Sequence, residues 1–96
     1  MDNIKKDIGQ FYIGENPENS IAKITFFLTG KDKITIDHTY VSDNLKGQGI
    51  GHQLVEKVVE FARQENKKII PVCSFAKKIM TQNEEYADVL FIQNQL

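Results

Sequence analysis

A run of alternating glycines, Lys46-Gly47-Gln48-Gly49-Ile50-Gly51, has the residue types of an anion-binding turn. It lies between a stretch rich in β-branched residues, 34–41, and apolar residues that recur at helical spacing from residue 50 onward. Glycine permits positive φ and close backbone approach, while the free N–H groups and positive dipole end of a helix's first turn favour an anion. A strand, a glycine turn and a helix in this order could hold a pyrophosphate on the backbone amides from Gln48 to Gly51, aided by Lys46. Glycine-rich turns between a strand and a helix are also common without a ligand.

Two side chains elsewhere could carry chemistry, the imidazole of His38 and the thiol of Cys73. His38 shares its predicted strand face with two isoleucines and Tyr40, so we expect it among apolar side chains. It is either a hydrogen-bonded core residue or a general base, a role that histidine fills without large tuning. Cys73 ends an apolar segment just before a helix start, where the helix N-terminus favours a thiolate and Lys77 adds positive charge. The alternative for Cys73 is a small buried hydrophobic side chain.

Two familiar glycine loops do not fit the glycine run. A dinucleotide fingerprint requires Gly-x-Gly-x-x-Gly, but the sixth position counted from Gly47 is His52, and the Gly-Lys-Ser/Thr of a P-loop is absent from the sequence. The remaining pattern, x-x-Gly-x-Gly after a strand, resembles the coenzyme A loop of the Gcn5-related N-acetyltransferases, whose usual form is Gln/Arg-x-x-Gly-x-Gly/Ala. Lys46 stands at the Gln/Arg position and keeps the positive charge.

Two further segments extend this resemblance. His38-Thr39-Tyr40-Val41 precedes the glycine run and Pro71-Val72-Cys73-Ser74-Phe75 follows it. In order and spacing the three segments are similar to a small acetyltransferase-like family that lacks the usual N-terminal helices, and the similarity covers residues 34 to about 90. That family often has an acidic residue where Tyr40 stands, so the sequence departs from the family pattern there.

The resemblance implies acetyl-CoA as cosubstrate. Acetyl transfer needs an anchored pyrophosphate, a held thioester carbonyl and a group that takes the proton of the amine. The resemblance places the pantetheine arm at strand amides near Val41, where this strand and the next splay apart. Lys77 and Lys78 could meet the 3′-phosphate of coenzyme A or simply form a solvated helix face. Cys73 and His38 are the catalytic candidates, and whether Cys73 itself accepts the acetyl group stays open. The expected coenzyme-binding residues are Val41, Lys46, Gly47, Gln48, Gly49, Ile50, Gly51, Ser74 and Lys77.

His52 and Tyr86 lie outside these sets, and the sequence gives weaker evidence for a role of either residue. His52 is expected on the first turn of the helix, either as a surface residue or in contact with phosphate. Tyr86 resembles a late tyrosine that many acetyltransferases use near the leaving thiolate, although packing in the core explains it equally well.

Length and composition narrow the class of protein. The 96 residues allow one domain, 1–96, with a modest core, and the 41% hydrophobic and 26% charged content is typical of globular proteins. A net charge of −1 lacks the positive field of a nucleic-acid binder. The single cysteine excludes an internal disulfide and a cysteine-based zinc site, so we expect no metal. With neither a signal peptide nor an apolar run near the ~20 residues of a membrane span, we expect a cytoplasmic monomer or weak homodimer without a membrane partner.

The sequence predicts three strands before the glycine run. They span residues 8–14, 20–29 and 33–41, separated by polar turns, and they form an antiparallel sheet. The apolar residues of 20–29 are too nearly continuous for a strand with one solvated face, so we expect this strand to be central.

After the glycine run the sequence predicts an amphipathic helix from residue 51 to about 66, with Asn66 as its left-handed stop. A buried strand at 69–73 should run parallel to the third strand. Ser74 then caps a helix to residue 79 or 80, and Asn83 caps another to residue 90. The fold class is α/β (α+β), with a mixed, mostly antiparallel sheet and C-terminal helices.

These observations favour an acetyl-CoA-dependent N-acetyltransferase that acts on a small-molecule or protein amine. An alternative is a non-catalytic acyl-CoA-binding or interaction module on the same fold, motivated by Tyr40 and by the short chain. A third, weaker alternative is a nucleotide-binding fragment.

Overall fold

The computed structural model describes residues 3–91, which form a five-stranded sheet with helices after its fourth and fifth strands. The strands follow the chain in the order β1-β2-β3-β4-β5, and each pair is antiparallel except β4 with β5, which is parallel. This mixed, mostly antiparallel sheet confirms the predicted fold class. The elements are β1 Lys5–Asp7, β2 Gln10–Asn16, β3 Asn19–Thr29, β4 Lys33–Val41, α1 Ile50–Gln64, β5 Lys68–Pro71 and α2 Ser74–Gln82, with 3-10 turns at Asp43–Leu45 and Glu84–Tyr86.

The N-terminal strand differs from its prediction. Residues 8–14 were expected as one strand, but Ile8 and Gly9 form the turn of a hairpin that joins β1 to β2. Gly9 has a φ of 75°, a conformation that glycine adopts readily, and Ile8 is 93% exposed at this turn. The polar β1 has little apolar signal of its own, which is why the sequence pattern missed it.

The central strand β3 has one buried face and one exposed face. Ala22, Ile24 and Phe26 point into the core on the side covered by the helices. Ile21 and Phe27 point to the opposite face and are 44% and 52% exposed. The prediction of a central strand is confirmed, but the expectation that its continuous apolar run excludes a solvated face is wrong.

A β-bulge in β4 changes which residues of the strand point into the core. Thr25 of β3 pairs with His38 and Phe26 pairs with Ile36, so Asp37 is the extra residue of β4. Before the bulge, Ile34 and Ile36 point into the core with no exposed surface. After it, Thr39 is paired with Ile24 and therefore takes over the core-facing side.

The first helix follows the prediction closely. Seven of its residues are buried against the sheet, and Asn66 has a φ of 57°, which confirms the left-handed stop. The buried residues of α1 are Ile50, Gly51, Leu54, Val55, Val58, Val59 and Ala62. Within residues 3–91 no helix is both long and apolar enough to cross a membrane.

The C-terminal part departs from the prediction at both proposed caps. Cys73, in extended conformation, is the N-cap of α2, and Ser74 is its first helical residue. Asn83 does not begin the predicted helix to residue 90. Its side chain donates to the carbonyl oxygen of Ile79 (2.7 Å), and only a single 3-10 turn follows it. The chain then returns to β5, where the backbone of Ile69 bonds to the N–H of Phe91 and the carbonyl of Val89. These backbone bonds hold residues 89–91 beside the sheet and prevent a helix to residue 90.

Candidate active site

Strands β4 and β5 separate halfway along β4. Their pairing covers only residues 33–36 of β4, and the N–H groups of Val72 and Cys73 both donate to the carbonyl oxygen of Ile36 (3.0 and 3.1 Å). Beyond that point the chain turns away into α2. The splay that the resemblance led us to expect is therefore present, and it begins at the bulge.

The splay leaves backbone groups of β4 facing the gap. Ser42 donates its N–H to the carbonyl oxygen of Ile21 in β3 (2.9 Å), beside the pair formed by Val41 and Ala22. This pattern makes Val41 and Ala22 a non-hydrogen-bonded pair, so the N–H and C=O of Val41 point away from β3. The predicted position of the pantetheine-binding amide, at Val41, is thus an open strand edge.

A cavity of about 780 Å³ extends from this splay to the start of α1. Its walls combine the second half of β4, the glycine run, the first turn of α1 and one side of α2. The lining residues are His38, Thr39, Tyr40, Val41, Asp43, Leu45, Lys46, Gly47, Gly49, Ile50, Gly51, His52, Phe75 and Ile79. Seven of the eleven predicted site residues lie on this wall, and Cys73, Gln48, Ser74 and Lys77 do not.

The glycine run has the backbone conformation that its sequence predicts. Gly47 has a φ of 84°, and Gly49, the N-cap of α1, has a φ of 78° and a ψ of 12°. The N–H of Gln53 is the first to be donated within the helix, to the carbonyl oxygen of Gly49 (3.1 Å). Because Gly49 brings no side chain to cap the helix, the N–H groups of Ile50 and Gly51 remain available to a ligand.

The polar side chains of the turn have local partners. The Lys46 ammonium lies 3.2 Å from Asp43 Oδ1, in an ion pair whose two side chains are largely exposed. Such an exposed ion pair contributes little to the free energy of folding, about 1 kcal/mol or less. Lys46 can therefore exchange Asp43 for a phosphate. Gln48 donates its side-chain N–H to the carbonyl oxygen of Asn44 (3.3 Å), which leaves its backbone amide as its contribution to the turn.

Cys73 contacts the cavity wall through Thr39. The thiol Sγ lies 3.4 Å from Thr39 Oγ1, and Thr39 lines the cavity. Burial raises the pKa of the Cys73 thiol, but the Thr39 hydroxyl and the N–H groups of Ala76 and Phe75 together lower it, and its pKa lies below the ordinary value. The predicted helix N-terminus therefore acts on Cys73, whereas the charge of Lys77 is not among these causes.

His38 lies on the other face of β4 from the one we predicted. The bulge at Asp37 rotates the strand, so His38 and Tyr40 point away from Ile34 and Ile36 and are exposed. His38 is therefore not a core histidine, and the expectation of an imidazole among apolar side chains is wrong. It still lines the cavity, together with Tyr40.

Phe75 lines the cavity, although its sequence position indicated only that it belongs to the segment Pro71-Val72-Cys73-Ser74-Phe75. Its ring lies directly over Gly51, where a Cβ atom would come within 2.5 Å of Phe75 Cζ. Gly51 is helical and has no positive φ, so its lack of a side chain is needed here for the close approach of the ring. Thr39 was missed as a partner of Cys73 because 34 residues separate the two in the chain.

A cavity that ends at an uncapped helix N-terminus is suited to an anionic ligand. The family described as GCN5-related N-acetyl-transferase matches residues 10–89 of the chain. The chain therefore belongs to the GCN5-related N-acetyltransferase family.

The chain is also similar to individual proteins, two of them of known structure and one matched by its sequence. The NMR structure of a GCN5-like N-acetyltransferase candidate from Staphylococcus aureus has 45% sequence identity and a TM-score of 0.82, and covers 98% of this chain and 94% of its own. Protein NATD1 of Xenopus tropicalis is 27% identical over 74 residues, which are 77% of this chain and 68% of that protein. An acetyltransferase from Elizabethkingia anophelis, solved with acetyl-CoA bound, shares the fold at 18% identity and a TM-score of 0.58, and the chain covers half of it.

Proposed function

We propose that the protein is an acetyl-CoA-dependent N-acetyltransferase that acts on a small-molecule or protein amine. The observation that carries the proposal is the single cavity wall that joins an open strand edge at Val41 to an uncapped helix N-terminus at Gly49. The groups of an acyl-CoA follow the same order along the molecule. Its thioester and amide-containing arm would lie at the strand edge, and its pyrophosphate would lie at the helix N-terminus. Acetyl-CoA in the Elizabethkingia structure and coenzyme A in a structure from Mycobacterium tuberculosis support this ligand at the level of the family.

In this proposal the glycine turn binds the pyrophosphate and β4 orients the thioester. The amides from Gln48 to Gly51 and the Lys46 ammonium offer donors and positive charge to the phosphates. The backbone of Val41 offers hydrogen bonds to the pantetheine arm. Phe75 supplies an apolar wall.

Two chemical routes can be written, one through His38 on the cavity wall and one through Cys73, which contacts that wall through Thr39. In direct transfer, the amine nitrogen bonds to the thioester carbonyl carbon, the C–S bond breaks, the coenzyme leaves as thiolate, and His38 takes the proton of the amine. In the second route, the Cys73 thiolate bonds to the thioester carbonyl carbon, the C–S bond to the coenzyme breaks, and the coenzyme leaves as thiolate. The amine nitrogen then bonds to the carbonyl carbon of acetyl-Cys73, the C–S bond to Cys73 breaks, and the departing Cys73 thiolate takes the proton of the amine. The lowered pKa of Cys73 fits the second route, and the exposed imidazole of His38 fits the first.

Thermal unfolding with acetyl-CoA tests the proposal as a whole. A ligand that binds only the folded protein adds about 2.7 kcal/mol at a free concentration of 100 Kd, so Tm should rise with dose. Release of free thiol, measured with a panel of small amines and amine-bearing peptides, should then depend on one of the acceptors. A Tm that stays constant up to millimolar acetyl-CoA would refute the proposal, and a rise in Tm without any thiol release would favour the non-catalytic acyl-CoA-binding module.

Alkylation of Cys73 by iodoacetamide distinguishes the routes. The reaction requires the thiolate, so its pH midpoint should lie below that of an ordinary thiol, and Thr39→Val should raise the midpoint by removing one stabilising donor. With acetyl-CoA and no acceptor, intact-protein mass spectrometry should find an acetyl adduct if Cys73 is the nucleophile and none in direct transfer. Full turnover by Cys73→Ala would exclude the cysteine route, and loss of turnover by Cys73→Ala together with an adduct would exclude the direct one.

A further inference from the structure

The open face of the sheet, which is the side that the helices do not cover, carries the side chains of Thr25 and His38. Ile24 and Phe26 of β3 point into the core, so Thr25 between them points to the open face. His38 is the cross-strand partner of Thr25 and therefore shares this face. Because His38 also lines the cavity, the cavity reaches the open face at this position.

The β-bulge brings Asp37 to the same face. Asp37 is the extra residue of β4, and its Oδ1 accepts a hydrogen bond from the Thr25 hydroxyl (2.7 Å). Asp37 and His38 are thus successive residues that are both exposed on one face, an arrangement that the regular alternation of a strand does not give. A carboxylate therefore adjoins the imidazole that lines the cavity.

The Asp37 carboxylate forms no ion pair within residues 3–91. Its hydrogen bond comes from a neutral hydroxyl, and the ion pairs in this part of the chain join other residues. Lys23 lies on the same face opposite Tyr40, but it does not pair with Asp37. Since a carboxylate has about four acceptor sites and Thr25 fills one of them, the others are exposed to a ligand.

Two other carboxylates near the cavity belong to a different part of it. Asp43 pairs with Lys46, and Glu56 accepts a hydrogen bond from the Tyr86 hydroxyl (3.0 Å), which also lies 2.7 Å from His52 Nε2. Tyr86 is only 2% exposed and is not part of the cavity wall. Both carboxylates lie at the end formed by the 3-10 turn, the glycine run and α1, so Asp37 is the carboxylate that adjoins His38.

The charge of Asp37 is placed for a group of the acceptor other than the reacting nitrogen. In direct transfer the reacting nitrogen must be neutral, and a carboxylate beside that nitrogen would favour its unreactive ammonium form. Asp37 and His38 are successive residues, whose Cα atoms are about 3.8 Å apart. An acceptor whose reacting nitrogen lies at His38 can therefore reach Asp37 with a second, protonated group.

We propose that Asp37 binds a second positive charge of the acceptor, and that the acceptor is a molecule with two neighbouring amines. Thr25 is a positioning residue that holds the Asp37 carboxylate on the open face. The inference rests on the proposed function, because it names the class of acceptor for the same site. The transfer chemistry does not change, since the second ammonium keeps its proton and forms no covalent bond.

Matched acceptors that differ in the second charge test this inference. Thiol release from acetyl-CoA is measured with 1,4-diaminobutane against butylamine, and with N-terminally blocked peptides that contain Lys-Lys against Lys-norleucine. The pair that shows a preference identifies a free diamine or a peptide as the source of the two amines. The wild type should use the doubly charged member with about five- to tenfold higher kcat/KM, of which about twofold comes from the presence of two reactive amines.

Asp37→Asn removes the charge and keeps an oxygen that can accept the hydrogen bond from Thr25. This variant should lower the preference to about twofold by raising KM for the doubly charged acceptor, with kcat unchanged. Thr25→Val should lower the preference as well, and Thr25→Ser should restore it. Higher salt should reduce the preference of the wild type but not that of Asp37→Asn, a response that a merely structural role of Asp37 would not produce.

Asp7→Asn is the matched control. Asp7 is exposed on the open face in the same row of paired residues, which runs through Gln10, Thr25 and His38. It lies three strand spacings of about 4.8 Å from His38, so its loss should leave the preference unchanged.

A wild type that uses both members of each pair equally, apart from the factor for two amines, would overturn the inference, as would a preference that survives Asp37→Asn. If none of these acceptors is acetylated, the same pairs are titrated by NMR into the protein saturated with coenzyme A. The doubly charged member should then shift the backbone amides of Thr25, Asp37 and His38 in the wild type and not in Asp37→Asn, and the absence of these shifts would also overturn the inference. Failure of the wild type to bind acetyl-CoA would refute the proposed function itself, which is a different result.

Discussion

Replacement of Gly49 by valine separates the folding role of the glycine turn from its binding role. Gly49 has a φ of 78°, in the left-handed region, and a Cβ atom built there meets no other atom within 4 Å. The cost of Gly49→Val to folding is therefore backbone strain alone, without a packing clash. A side chain that projects from the turn would obstruct a pyrophosphate on the amides of α1.

The magnitude follows from the backbone conformation. A β-branched residue held in the left-handed region costs roughly 2 kcal/mol. A protein of this length has a free energy of unfolding of about 5–14 kcal/mol, so Gly49→Val should remain folded. At roughly 4–8 °C per kcal/mol, Tm should fall by roughly 8–16 °C. Acetyl-CoA binding should be lost in a protein that is still folded.

Gly30→Val is the matched control. Gly30 has a φ of 65°, a Cβ atom there also meets no other atom within 4 Å, and the residue lies in the turn between β3 and β4, outside the cavity lining. Its cost in Tm should equal that of Gly49→Val, but its affinity for acetyl-CoA should match the wild type. Both quantities come from melting curves with and without acetyl-CoA. If Gly49→Val binds as well as Gly30→Val, the glycine turn does not hold the pyrophosphate.

Two further variants test the packing around the site. Gly51→Ala gains about 1 kcal/mol of helix propensity but must displace the Phe75 ring, which is 42% exposed and can move. Urea unfolding should therefore give this variant a free energy of unfolding within about 1 kcal/mol of the wild type, while acetyl-CoA binds more weakly. A larger loss of stability would contradict this reasoning. Arg63→Met removes two 2.9 Å hydrogen bonds to the exposed Asp88 carboxylate and one of 2.7 Å to the carbonyl oxygen of Glu85, and should cost about 0.5–1 kcal/mol at neutral pH. Because the hydrogen bond from Arg63 lowers the pKa of Asp88, this difference should shrink as the pH falls through that pKa, leaving only the part that comes from the bond to the Glu85 carbonyl oxygen. An undiminished difference in acid would refute the ion-pair explanation.

The elements with strong periodic signals could be predicted from the sequence. The bounds of β4 match the expected 33–41, and α1 begins within one residue of its predicted start. The glycine turn was predictable because positive φ at Gly47 and Gly49 is a local preference. The parallel pairing of β5 with β4 was also predictable, since a helical connection joins two apolar strands.

The rest depends on contacts between residues far apart in the chain. The alternation from Ile34 to Tyr40 is regular in sequence, so the bulge at Asp37 has no local signal and follows from how β4 pairs with β3. The bond between Cys73 and Thr39 spans 34 residues, as does the bond between His52 and Tyr86. The latter depends on a 3-10 turn that the sequence predicted as a helix.

The bulge at Asp37 also limits the mechanisms that the cavity allows. His38 and Thr39 are successive strand residues, so their side chains point to opposite faces of β4. Thr39 holds Cys73 on the helix side, while His38 faces the open side of the sheet. A directly hydrogen-bonded cysteine–histidine pair would need both groups on one face, so His38 is poorly placed to activate Cys73. The thiolate must instead be stabilised by Thr39 and the N-terminus of α2, which means that His38→Ala should leave the alkylation midpoint of Cys73 unchanged even where it slows turnover.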